Sequence, residues 1–429
     1  MKHPGAIPSL VFADEQGRIN DFPGLTMAGM SNGRYIRPDR EELIELPEGS
    51  ELFTLPGRLP VGTDPRSGEP LLLEEDPYRA GKAVQAVAAF MAPAHTALYT
   101  AAYRTTPDAP RLPLFAYSAV GWHHGRFWVT GFRSDPDHRQ DARTFHQERV
   151  DRQTKKVLHR HRHNRLIQHL GHCCLTYQCP AARNYFLKRW EAPLPTSPVC
   201  NARCLGCISL QESGCCPSTQ DRITFVPHLQ EVLEVAVPHL GQAPSPIVSF
   251  GQGCEGEPLL QATLLESSIQ AMRRQTQRGT INCNSNASLP DEVARLARAG
   301  LDSLRVSLNS SQEAYYSRYY RPRGYQLADV RQSIAAMKDH GRFVSLNYFV
   351  LPGFTDTPEE LDALTDLVAT TGVDFIQLRN LNLDPEYYFS ALQVPPTPAL
   401  GMRSWFALLK KRLPRLRFGY FNPNIQLSG

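Results

Sequence analysis

From about Ala192 the chain alternates short apolar runs with longer segments that are apolar on one side only. Ile247-Val-Ser-Phe250 predicts a strand. Gln261–Gln275 follows as a helix with Leu264, Leu265, Ile269 and Met272 on one side. Thr280–Cys283 predicts the next strand. Its helix has Ser288 as N-cap, Pro290 near the first turn, apolar Val293, Leu296 and Ala297, and Gly300 as its stop. Leu304–Leu308, Phe343–Val350 and Asp374–Leu378 predict three more strands. Between them lie a helix over Gln326–His340 and another opened by the capping box Thr357-Pro358-Glu359-Glu360 and stopped at Gly372. This alternation predicts an α/β fold: a parallel sheet with helices outside, open or closed into a barrel, with ligands at the C-terminal strand ends.

The pattern before Ala192 is different. Ala80–Phe90 predicts a helix, and Leu114–Phe132 a hairpin turning at His123-His124-Gly125. Residues 1–150 are therefore expected to form an accessory α+β domain. Asp135–Gln168 turns polar and rich in Arg and His, which predicts a long exposed helix leading into a cysteine-bearing linker, residues 151–190. The alternating module covers 191–385, and 386–429 forms a C-terminal extension.

Composition narrows the function classes. A chain of 429 residues exceeds one ordinary domain, and 41% hydrophobic residues suffice for packed cores. Forty-six Lys plus Arg against 42 Asp plus Glu leave +4, too little to mark a nucleic-acid binder by charge alone. No apolar run reaches the roughly 18 residues of a membrane span. The start, Met1-Lys2-His3-Pro4-Gly5, lacks an apolar signal region, so a soluble cytoplasmic protein is expected. All ten cysteines fall between 173 and 283. That confinement, with two adjacent pairs, argues for metal or redox chemistry in one module over a disulfide scaffold.

Cys200-Asn-Ala-Arg-Cys204-Leu-Gly-Cys207 stands at the entrance of the alternating module. Three thiolates on one tight loop can ligate three irons of a four-iron cluster and leave the fourth iron open. A zinc site wants four ligands, and no His lies close in sequence to complete it. Downstream, Phe250-Gly-Gln-Gly-Cys254-Glu-Gly256-Glu257-Pro258 ends a strand and opens a helix. On these motifs residues 193–380 resemble the radical S-adenosylmethionine superfamily. The resemblance implies a partial (β/α)6 TIM-like barrel. It implies a [4Fe-4S] cluster on Cys200, Cys204 and Cys207, with S-adenosylmethionine chelated to the open iron. One electron then cleaves the cofactor, and the 5′-deoxyadenosyl radical takes a hydrogen atom from substrate. Gly256, Glu257 and Pro258 match the motif that holds the methionine ammonium through backbone carbonyls and a carboxylate. Asn286, Ser307 and Asn309 match positions that touch ribose or carboxylate, and Val350-Leu-Pro-Gly353 matches a segment along the adenine. The family's aromatic residue before the third cysteine is here Gly206, so adenine packing is expected from Ile208 or Phe349.

Cys173, Cys174, Cys179, Cys215 and Cys216 are either small buried hydrophobes or ligands of an auxiliary iron–sulfur cluster. Cys254 and Cys283 are candidate catalytic or metal-binding thiols at the barrel mouth, or packing beneath the cofactor. Arg379 is the candidate for binding a substrate or a carboxylate. The segment Tyr315–Arg323 is either an anion clamp or a loop packed on the rim. Lys155–Arg165 is solvated helix surface, a phosphate contact, or a His159/His163 metal site. The expected partners are a one-electron donor such as flavodoxin or ferredoxin and an unknown substrate, a peptide or an RNA. The rival reading is a non-catalytic iron–sulfur or zinc protein that binds nucleic acid through the basic helix.

Overall fold

Seven short runs, most of their residues buried, form one sheet whose strands follow chain order. In a computed structural model that describes residues 3–211 and 216–425, they are β1 (Glu191–Pro193), β2 (Ile247–Phe250), β3 (Thr280–Ser285), β4 (Ser303–Leu308), β5 (Phe343–Val350), β6 (Phe375–Asn380) and β7 (Arg417–Gly419). The pairings β1–β2, β2–β3, β3–β4, β4–β5 and β6–β7 are parallel. The sheet is open, with three-residue strands at both edges, so it is a partial barrel. The expected C-terminal extension 386–429 contributes β7, which pairs with β6.

Three helices precede the sheet: α1 (Gln147–Arg160), α2 (Arg165–Leu175) and α3 (Pro180–Phe186). The single long helix expected over Asp135–Gln168 is instead two, broken at His161–His163. Asn164 caps α2 by accepting from the Ile167 amide at 2.9 Å. The connections within the sheet carry α4 (Leu229–Gln242), α5 (Ala262–Gln275), α6 (Pro290–Ala299), α7 (Glu313–Tyr320), α8 (Leu327–Asp339) and α9 (Pro358–Thr371). Of the predicted apolar faces, Leu265, Ile269 and Met272 of α5 and Val293, Leu296 and Ala297 of α6 are buried, while Leu264 is only half-buried. The cap of α6 differs. Leu289 is the N-cap, and Ser288 is turned to Asn201, whose Nδ2 donates to its hydroxyl at 2.9 Å.

The chain divides into two compact units, Met1–Arg143 with Phe349–Thr365 and Leu378–Pro414, and Thr144–Tyr348 with Asp366–Gln377 and Arg415–Gly429. Both are discontinuous, unlike the contiguous domains expected. Up to Arg143 the first unit is antiparallel β, with no α-helix among its described residues, so its N-terminal part is not α+β. The expected helix over Ala80–Phe90 is a strand, Gln85–Phe90, paired with Glu51–Leu55 and with Ser9–Ala13. Alanine favours helix in isolation, but here Ala86, Val87, Ala88 and Ala89 are small enough to be buried on both faces, and that packing overrides propensity. The expected hairpin forms, with Val120–His123 against Arg126–Arg133 and positive φ at His124 and Gly125.

Candidate functional site

After β1 the chain runs into the cysteine loop, which is fixed by its backbone. The amides of Arg203 and Leu205 donate to the carbonyls of Tyr320 (2.9 Å) and Tyr319 (3.0 Å), and the Arg323 amide donates to Asn201 O (2.8 Å). Tyr316, Tyr319 and Tyr320 are buried beneath, with the rings of Tyr316 and Tyr320 4.6 Å apart. The tyrosines of this segment are thus support for the cysteine loop. Cys200, Cys204 and Cys207 are half-buried free thiols. Burial pushes Cys200 up to about 11, with Glu257 adding, and pushes Cys204 further through burial and its two thiol neighbours. Arg222 opposes both, and its Nη2 lies 3.4 Å from Cys207 Sγ.

The Gly251–Pro258 loop leaves β2 and lies directly on the approach to Cys200. The amide of Gly256 donates to Ser197 O at 2.6 Å, and that of Glu257 to Val199 O at 2.8 Å. A Cβ on Gly256 would sit 1.9 Å from Val199 O, so only glycine permits this approach. Gly251 has φ +76, and a Cβ there would meet Asn284 O at 1.6 Å. Two buried carboxylates lock the loop. Glu255 accepts from the amides of Thr196 (2.7 Å), Ser197 (3.0 Å) and Gln252 (2.7 Å). Glu257 accepts from Ser285 Oγ (2.6 Å) and the amides of Asn286 (2.8 Å) and Leu259 (3.0 Å), the last in the short turn that Pro258 opens. Burial raises each carboxyl to about 7 against those donors. Asn286 ties the third loop in: its Nδ2 donates to Asn201 Oδ1 at 2.8 Å.

Residues 194–367 match the profile of the radical SAM superfamily. These residues belong to the radical SAM superfamily. GTP 3′,8-cyclase of Mycobacterium marinum is 27% identical over 201 residues, 47% of this chain and 49% of that protein. GTP 3′,8-cyclase 2 of Mycobacterium bovis is 29% identical over 202 residues, with the same coverage. The chain spans about half the length of the curated relatives it matches. A radical SAM methyltransferase from Sphaerobacter thermophilus has a TM-score of 0.38 at 16% identity, covering 55% of this chain and 67% of that one. Streptococcus suis SuiB bound to S-adenosylmethionine has 0.37 at 16%, covering 56% and 54%.

Membership of the radical SAM superfamily implies a [4Fe-4S] cluster and S-adenosylmethionine, and the residues present fit both. The three thiols share one strapped loop. Among the described residues they do not join a His, Cys, Asp or Glu group that converges on one ion, which a mononuclear site would require. The Gly256 cradle, which a Cβ would fill, lies against the residue before the first cysteine.

One face of the radical SAM sheet is largely polar by alternation. Ser249, Asn282 and Ser303 are register neighbours, as are Asn284, Arg305 and Ser345. Asn282 Nδ2 donates to Ser249 Oγ (3.1 Å) and Asn284 Oδ1 (2.8 Å), and Arg305 Nη1 to Gln377 Oε1 (3.1 Å). Gln377 Nε2 reaches Asn422 Oδ1 (2.8 Å), and Asn422 Nδ2 reaches Glu191 Oε1 (2.8 Å). Ser307 is half-buried on the Arg305 face, whereas Asn309 is fully buried and donates to Tyr315 O at 3.2 Å. Cys283 does not approach the barrel mouth as expected. It alternates to the opposite face, in register with Phe250 and Leu304, and all three are fully buried. Ile208 adjoins Gly253 in the cofactor loop. Arg379 and Val350–Gly353 fall in the first unit.

Among the described residues, the expected auxiliary thiols have different surroundings. Cys174 Sγ is 3.3 Å from Thr154 Oγ1 of α1, Cys216 is buried, and Cys215 lies outside the described residues. Cys173 instead meets Cys254 and His169. The Cys254 thiol beside it holds Cys173 below the usual thiol range, with His169 helping against burial. His159 and His163 do not pair, because the helix ends between them; His163 Nε2 is 3.3 Å from Glu234 Oε2. Arg222, Asn201, Glu255, Glu191 and Asn422 went unread in the sequence. Of these, only Asn201 and Glu255, each inside a quoted motif, carried a local signal.

Proposed function

We propose that the chain is a radical S-adenosylmethionine enzyme whose cluster sits on Cys200, Cys204 and Cys207. The observation that carries this reading is the pair of hydrogen bonds from Gly256 and Glu257 to Ser197 and Val199, which sets the cofactor loop beside the first cysteine. When bound, the cluster and its cofactor supply one-electron cleavage of a sulfonium and, with it, hydrogen abstraction from a substrate. The chain's own residues bind and orient. Carbonyls of the Gly251–Pro258 loop accept from the methionine ammonium. Glu257, already holding three donors, positions that loop against Asn286. Asn286, Ser307 and Asn309 would contact the ribose or carboxylate when the cofactor is bound. Arg222 steadies thiolate charge at Cys207. Arg379 binds an anionic part of the substrate.

The substrate in this reading is macromolecular, a peptide or an RNA, and the electron comes from a flavodoxin or ferredoxin. Thiols kept free suit a reducing, cytoplasmic setting, and no helix among the described residues is long and apolar enough to cross a membrane. Anaerobically reconstituted protein given dithionite and S-adenosylmethionine is expected to release 5′-deoxyadenosine. The Cys200→Ala/Cys204→Ala/Cys207→Ala variant is expected to release none. A metal-loaded protein that binds RNA and makes no deoxyadenosine would overturn the reading in favour of a non-catalytic nucleic-acid binder.

A further inference from the structure

We infer a second metal site, for a single thiophilic divalent ion such as Zn²⁺, built from His169, Cys173 and Cys254. His169 and Cys173 are one helical turn apart on α2 and face the same way. Cys254 comes from the cofactor loop, far away in sequence. One donor atom from each residue lies within 4.8 Å of the other two, and His169 Nε2 is 3.6 Å from Cys173 Sγ. Cys173 and Cys254 are 1% and 5% exposed, so the site is closed to bulk solvent on its sulfur side.

The chemistry of the donors selects the ion. Two thiolates and an imidazole suit zinc over calcium or magnesium, which take oxygen ligands. The spacing selects a single ion over a cluster. Donors round one tetrahedral ion stand roughly 3.5–4 Å apart, whereas thiolates on separate corners of a four-iron cluster are held wider by the cluster itself. Cys179 stands beside this trio, its amide donating to Cys173 O at 3.2 Å, but its sulfur is not among the donors that converge. Among the described residues His161, His163 and Glu234 also converge, but none of the three is buried, and His163 Nε2 lies 3.3 Å from Glu234 Oε2.

The ion would join α2 to the loop two residues before Gly256. The Cys254 carbonyl is also held, accepting from the Ile223 amide at 2.7 Å. The site is therefore a staple on the cofactor loop from its outer side. The functional consequence rests on the radical SAM reading of that loop, but the existence of the site does not.

The test uses the full chain with Cys200, Cys204 and Cys207 changed to Ala, so that the first cluster is absent and the two readings fail separately. Metal analysis of this variant is expected to show a single zinc per chain. After chelation, Co²⁺ is expected to give a thiolate charge-transfer band in the near ultraviolet and tetrahedral d–d bands in the visible, both lost on adding Zn²⁺. Cys173→Ser and Cys254→Ser in that background should each weaken cobalt binding tenfold or more. Cys283→Ser, another buried thiol, should leave the spectrum unchanged and serves as the folding control by circular dichroism. No charge-transfer band, or one indifferent to Cys173 and Cys254, overturns the site. Iron with acid-labile sulfide in place of zinc overturns the single ion in favour of an auxiliary cluster.

Discussion

The amide of Glu257 donates to the carbonyl of Val199 across 2.8 Å, so the residue before the first cluster cysteine and the cofactor loop are one backbone structure. A side chain at Gly256 cannot fit between them, because the atom it would meet is a carbonyl oxygen rather than a movable side chain. Gly256→Ala is expected to weaken S-adenosylmethionine binding at least tenfold, about 1.4 kcal/mol, by calorimetry. Gly253→Ala meets only the ends of Gln220 and Ile208 and should cost less. Equal losses for the two variants would contradict the close-approach account.

Glu257→Gln tests what the carboxylate does. Its oxygens serve three donors in a buried site, and an amide nitrogen would oppose one of them. The expected cost is about 1–3 kcal/mol, read as a lower melting temperature in the cofactor-free protein. A variant that melts like the wild type but binds cofactor poorly would assign Glu257 to direct contact with cofactor.

Arg222 places a cation 3.4 Å from Cys207 Sγ. Removing it leaves the reduced, more negative cluster less well compensated, at a cost on the order of 1 kcal/mol or more. Arg222→Ala is expected to move the cluster midpoint to more negative potential in an EPR-monitored titration, and Arg222→Lys to restore most of the shift. An unchanged midpoint in Arg222→Ala would make the arginine a packing residue.

His239 is buried in α4, with Nε2 2.8 Å from Trp190 O, and burial lowers its pKa from 6.5 to about 4. The unfolded chain takes up its proton near 6.5 and the folded chain only near 4. The stability it contributes is therefore full above pH 6.5 and falls as pH drops toward 4, with a slope up to about 1.4 kcal/mol per pH unit. Urea unfolding across that range should show the slope, and His239→Gln should flatten it.

The alternating elements were legible because buried parallel strands are short apolar runs closed by caps and glycines, as at Pro290 and Gly300. The cysteine loop and Gly256-Glu257-Pro258 were legible as contiguous motifs. Ala80–Phe90 misled because alanine carries helix propensity while its role here, fitting between two layers, is tertiary. The break before Asn164 left a local trace, a capping asparagine, inside a polar run that otherwise reads as helix. The meeting of Cys254 with Cys173, and the service of Arg222 to Cys207, left none, since each joins segments that only the folded sheet brings together.

The wiring across the sheet interior from Glu191 through Asn422, Gln377 and Arg305 has a bearing on selectivity. Most of these groups already spend their hydrogen bonds on one another, while Asn282 Oδ1 is a buried acceptor without a partner among the described residues. A guest entering there gains little by offering polarity in general, because each new bond must displace an existing one. It gains most by bringing a donor to that lone acceptor, so discrimination resides in the exchange of bonds rather than in their number.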